Sequence, residues 1–80
     1  MSTYTFARGY VDVSIGHETI SVDAYNKHTG DAMRRRRYSG YTLSETVCAA
    51  LIELGIAADW VEAIELIERA GIPYESSDDE

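Results

Sequence analysis

The feature that most constrains this chain lies between Thr42 and Pro73, where two helical patterns each carry their own start and stop signals. Thr42-Leu-Ser-Glu45 is a capping-box pattern. The threonine satisfies a backbone N–H of the first turn, and the glutamate reaches back to the cap. Leu43, Val47, Ala50, Leu51 and Leu54 then recur at helical spacing and predict one buried stripe. Gly55 stands where a helix ends in a left-handed residue, with Ile56 folding back on the last turn. Asp59-Trp-Val-Glu62 opens a second helix of the same kind. Trp60, Ala63, Ile64, Ile67 and Ala70 face inward, with Val61 and Leu66 flanking. Gly71 ends it and Pro73 prevents a restart. A linker of about four residues predicts near-antiparallel helices. Ile72 to Tyr74 is expected to lie against the sheet as a short extended piece.

Both stripes need a second layer, and the first half of the chain supplies it. Residues 3–15 alternate and are rich in Tyr, Thr and Val, which predicts a strand. Tyr4 and Phe6 are even-numbered, whereas Val11, Val13 and Ile15 are odd. A strict period of two cannot place both sets on one face. Either Gly9 marks a bulge or bend, or Tyr4 and Phe6 cover the other face. A turn over Gly16 to Thr19 leads into a second strand, Ile20 to Tyr25. Closure around His17 and Glu18 sets Ile15, Val13 and Val11 opposite Ile20, Val22 and Ala24. All six then line one face, and Asp12, Ser14, Ser21 and Asp23 line the other. After a loop over Asn26 to Asp31, Ala32 to Tyr38 predicts a third strand. The expected architecture is α+β: a three-stranded antiparallel sheet packed on two helices, a βββαα two-layer sandwich. Residues 1–74 form its single domain and 75–80 an acidic solvated tail.

Charge divides the chain as sharply as structure does. Residues 1–41 hold six bases and four acids, net +2. Residues 42–80 hold one base, Arg69, and ten acids, net −9. The total of −7 argues against general nucleic-acid binding, which depends on attraction to phosphate. It favours basic partners and steering by the field of the acidic half. Solvated helices usually mix signs, pairing Glu with Lys four residues on. Here Glu62, Glu65 and Glu68 follow at intervals of three with no lysine after Lys27. Such like-charge neighbours cost a few tenths of a kcal/mol per pair, which a cationic partner would relieve. With Glu75, Asp78 and Asp79 of the tail, they form the expected partner-binding surface.

Arg34 to Arg37 is the other unusual run. As a strand it sends two arginines to each face. With Tyr38 and Tyr41, Arg35 and Arg37 offer a secondary contact of the phosphate- or carboxylate-clamping kind. The same run can instead protect an edge strand, cover apolar surface with its stems, or neutralise the acidic helices of its own fold. Six tyrosines exceed what so small a core can hold, and exposed tyrosine beside charge is an interface composition. No phosphate loop, triad order, paired catalytic carboxylates or cofactor fingerprint occurs, so the expectation is a protein that is not an enzyme and needs no cofactor. His17 and His28 lack a third ligand at suitable spacing, so no metal is expected. Cys48, the only cysteine, is expected as a buried small side chain. One cysteine, no secretory leader pattern and no long apolar run point to a cytoplasmic protein with no membrane contact.

As a whole, the acidic segment from Glu62 to Glu68 and the tail from Glu75 to Glu80 give a profile that resembles the small acidic phage-encoded anti-CRISPR proteins, those acting on type I systems in particular. The resemblance is one of size, charge, tyrosine content and lack of a catalytic motif. It implies a non-enzymatic inhibitor, a DNA mimic in a bacterial host's cytoplasm. Its acidic helical side would occupy a basic DNA-binding surface of a CRISPR surveillance complex. The arginine run departs from a pure mimic. Two other classes stay open: an antitoxin-like or nucleic-acid-binding regulator using Arg34 to Arg37, and a homodimeric assembly module. The chain is expected as a monomer or homodimer.

Overall fold

The computed structural model describes residues 2–16, 19–36 and 42–76. Its element order is β1 (Ser2–Phe6), β2 (Gly9–Ile15), β3 (Ile20–Asn26), β4 (Ala32–Arg36), α1 (Leu43–Glu53) and α2 (Trp60–Arg69). The strands form one antiparallel sheet in the order β1-β2-β3-β4. The α+β class and the two helices are as expected, but the sheet has four strands rather than three. The expected first strand is a hairpin that turns at Ala7 and Arg8, so that Phe6 pairs with Gly9 and Tyr4 with Val11. This turn explains the phase change. Partners across the pair have residue numbers of opposite parity, so even positions of β1 share a face with odd positions of β2. Tyr4 and Phe6 therefore join Val11 and Val13 on the core face without a bulge.

Gly9 is what lets the second strand start so close to the third. A Cβ built on it would stand 1.9 Å from the carbonyl oxygen of Tyr25. The β2–β3 register is the expected one, Val13 on Val22 and Val11 on Ala24. In the Ile15–Ile20 pair, Ile20 packs against the core while Ile15 is 68% exposed. On β4, Met33 pairs with Ala24 and Arg35 with Val22, which turns both towards the helical side. Of the expected third strand, residues 37 and 38 lie outside the described residues.

Phe6, Val11, Val13, Val22 and Ala24 of the sheet meet Val47, Ala50, Leu51, Ala63 and Ile67 of the helices in one core. The capping box of α1 is complete. Glu45 N–H donates to Thr42 Oγ1 at 3.2 Å, and Thr42 N–H to Glu45 Oε1 at 2.9 Å. Gly55 and Gly71 take the left-handed conformation, φ 76° and 98°, that closes each helix. Ile72 is buried, and the chain after it crosses the start of α1. There Ser44 Oγ accepts from Glu75 N–H at 2.8 Å, and at the start of α2 Trp60 Nε1 donates to Tyr74 Oη at 3.2 Å.

Asn26 joins the two layers. Its Nδ2 donates to the carbonyl of Leu54, the C-cap residue of α1, at 2.7 Å. Its Oδ1 accepts from the backbone N–H groups of His28 and Thr29 at 2.8 and 3.1 Å. One buried side chain thus orders the β3–β4 loop and ties it to the end of a helix.

Cys48 is fully buried in α1, and its thiol is pushed up to about 12, first by burial and then by the Glu45 carboxylate. An unfolded cysteine titrates near about 8.5, so the folded chain holds a proton that the unfolded chain releases. The associated stability is intact below about pH 8.5 and is lost as pH rises towards the folded value. The urea midpoint of the parent should therefore fall above about pH 8.5 by more than that of Cys48→Ala. Equal falls in the two chains would show that Cys48 does not carry the effect.

Candidate functional site

Folding sorts the acidic residues into those the fold uses and those it leaves outward. Glu45 is buried in the α1 capping box. Glu53 is engaged by Arg35 Nη2 from β4. Glu62 serves the start of α2: its N–H donates to Asp59 Oδ1 at 2.8 Å, and its Oε1 accepts from Ala58 N–H at 2.6 Å. Glu62 is thus bound up in holding the helix end, and the expected stripe of three divides. Glu65 and Glu68 remain exposed on α2, with no base paired to either among the described residues. Val61, 66% exposed, precedes them in the same helical row at four and seven residues. Glu75 is exposed, but its backbone is held by Thr42 and Ser44 at the start of α1, away from that row. Asp78 and Asp79 lie outside the described residues.

The arginine run divides by face. Arg35 lies on the helical side of the sheet, with its side chain only 20% exposed, and pairs with Glu53. Arg34 lies on the opposite face, where its Nε meets Asp23 Oδ1 at 2.7 Å. That carboxylate raises the Arg34 pKa further, through the hydrogen bond first and the charge second. Two of the four arginines therefore neutralise acids of their own fold. Arg37, Tyr38 and Tyr41, the rest of the expected secondary contact, lie outside the described residues.

The outer face of the sheet is a second surface. Register puts Thr3, Thr5, Tyr10, Asp12, Ser14, Ser21, Asp23, Tyr25, Ala32, Arg34 and Arg36 on it. The polar middle of this face follows from the hairpin pairing anticipated above. Continuing that pairing one step towards Asn26 would have found Tyr10 opposite Tyr25, the two tyrosines that stack there.

Among the described residues, no three His, Cys, Asp or Glu side chains gather as metal ligands. No helix among the described residues is long and apolar enough to cross a membrane. The chain matches no protein-family model, no curated protein and no solved structure.

Proposed function

We propose that this protein is a non-enzymatic inhibitor that binds a basic, DNA-accepting surface of a CRISPR surveillance complex through the acidic side of α2. The observation that carries this reading is the row Val61, Glu65 and Glu68, an exposed apolar side chain beside two exposed carboxylates with which no base among the described residues pairs. Apolar contact supplies affinity at the centre of such a patch, while the charges steer approach and fix orientation. The profile resemblance supplies the partner, and the chain's net charge of −7 suits a cationic one.

The test is a gel-shift assay of a type I surveillance complex on its target DNA. Excess protein should abolish the shift, and inhibition should weaken as salt rises. Glu65→Lys with Glu68→Lys should weaken inhibition about tenfold or more at unchanged circular dichroism. Glu62 is left alone because replacing it would disturb the helix start. Undiminished inhibition by the double variant would remove α2 as the interface, and a DNA shift untouched by the parent would remove the reading itself.

A further inference from the structure

Among the described residues no helix covers the outer face of the sheet, and one part of it is shaped to receive something. Two cross-strand pairs stand side by side there, Tyr10 opposite Tyr25 and Asp12 opposite Asp23. The rings are 5.4 Å apart between centroids and tilted by 32°. On β4, small Ala32 lies opposite Tyr25, and Arg34 lies opposite Asp23. The result is a shallow concavity of about 480 Å³ walled by Tyr10, Tyr25, Asp12, Asp23 and Arg34.

Its charge order is unusual for a sheet. Like charges placed directly opposite each other are destabilising. Asp12 and Asp23 are such a pair, both half-buried. Among the described residues each is hydrogen-bonded from its outer side, and Arg36, opposite Ser21, lies on that same outer side of Asp23. Thr3 Oγ1 donates to Asp12, and Arg34 Nε donates to Asp23. By strand order the row runs threonine, carboxylate, carboxylate, guanidinium, with no described cation between the two acids. The tyrosines beside them offer ring faces, which attract a cation by their quadrupole.

We propose that this concavity is a docking site for a basic side chain of a protein partner, an arginine in particular, received between the Tyr10–Tyr25 pair and the Asp12 and Asp23 carboxylates. A guanidinium is planar, stacks on aromatic rings and forks onto carboxylates, whereas an ammonium does only part of this. A cation there makes the signs alternate along the row and relieves the Asp12–Asp23 opposition. The inference rests on the proposed function only for the sign of the partner. Its residues lie on the face of the sheet away from the helices, so the two surfaces can be tested apart.

The test is titration of the ¹⁵N-labelled chain with acetyl-arginine amide, followed by amide chemical shifts, with neutral acetyl-citrulline amide as control. Shifts are expected at Tyr10 to Asp12 and Asp23 to Tyr25 with the arginine compound and not with citrulline. Asp12→Asn and Tyr25→Ala should each weaken binding about fivefold, the equivalent of about 1 kcal/mol for one cation–π or charge contact. Asp12→Asn keeps an acceptor for Thr3 and removes the like-charge opposition, so its thermal midpoint should rise while its binding falls. The Glu65→Lys and Glu68→Lys chain should bind the compound as the parent does. No shifts at millimolar arginine compound, equal shifts with citrulline, or full binding by Asp12→Asn would each overturn the proposal. Binding of the probe together with failure of the gel-shift inhibition would leave this site standing without the function proposed above.

Discussion

Gly9→Ala is expected to cost this protein at least about 3 kcal/mol, the upper range for forcing an extra methyl into a packed interior. For a domain of this size that lowers the thermal midpoint by more than about 10 °C. The reason is space. The added Cβ would fall 1.9 Å from the Tyr25 carbonyl oxygen, and its next neighbours are backbone atoms of Tyr25 and Asn26. No rotamer change relieves that contact, so β2 must separate from β3 where the sheet turns into β1. Gly71→Ala is the comparison. Gly71 has φ 98° and nothing within 4 Å of the built Cβ, so its cost is the left-handed conformation alone, about 1–2 kcal/mol. Thermal unfolding by circular dichroism separates the two, and a Gly9→Ala loss no larger than that of Gly71→Ala would refute the close-approach account.

Asn26→Ala is expected to cost about as much by a different route. Asn26 is buried, and its amide holds the Leu54 carbonyl and the N–H groups of His28 and Thr29. Alanine leaves three backbone groups short of this partner, at about 1–3 kcal/mol for each one that water does not reach, the half-buried Leu54 carbonyl first. Asn26→Asp separates the parts. It keeps the acceptor for the loop but replaces the donor to Leu54 with a second oxygen facing an oxygen, so it does not restore stability. Hydrogen exchange should show the loss first at the end of α1 and in the β3–β4 loop together. Full protection of α1 in either variant would mean that the contact with Leu54 does not join the layers.

These two positions mark where the sequence could be followed and where it could not. Asn26 sits in a stretch rich in turn formers, and that composition predicts a loop. Nothing local indicates that its side chain reaches a helix 28 residues further on. Gly9 stands out as a break in strand phase, but two structures satisfy that break, a bulge and a hairpin. Ala7 and Arg8 are not residues that advertise a tight turn, so the choice falls to Phe6, which becomes buried only if β1 folds back.

The candidate sites divide in the same way. Glu62, Glu65 and Glu68 are alike as a charge pattern, yet Glu62 is three residues past Asp59 and is drawn into the helix start. Arg34 and Arg35 are adjacent, yet alternation along β4 sends one to Asp23 and the other to Glu53.

The sequence by itself determined the two helices with their ends, the β2–β3 register, and the sorting of acid into the second half of the chain. Caps, stop glycines and alternation act over a few residues, so they are legible without the fold. Only the tertiary structure decided that the sheet has a fourth strand and which acids are consumed inside the fold. It also brought Tyr10, Tyr25, Asp12 and Asp23 together on the face of the sheet opposite the helices. Each of those outcomes depends on partners far apart in the chain, whose meeting is set by burial of a shared core rather than by any neighbouring residue.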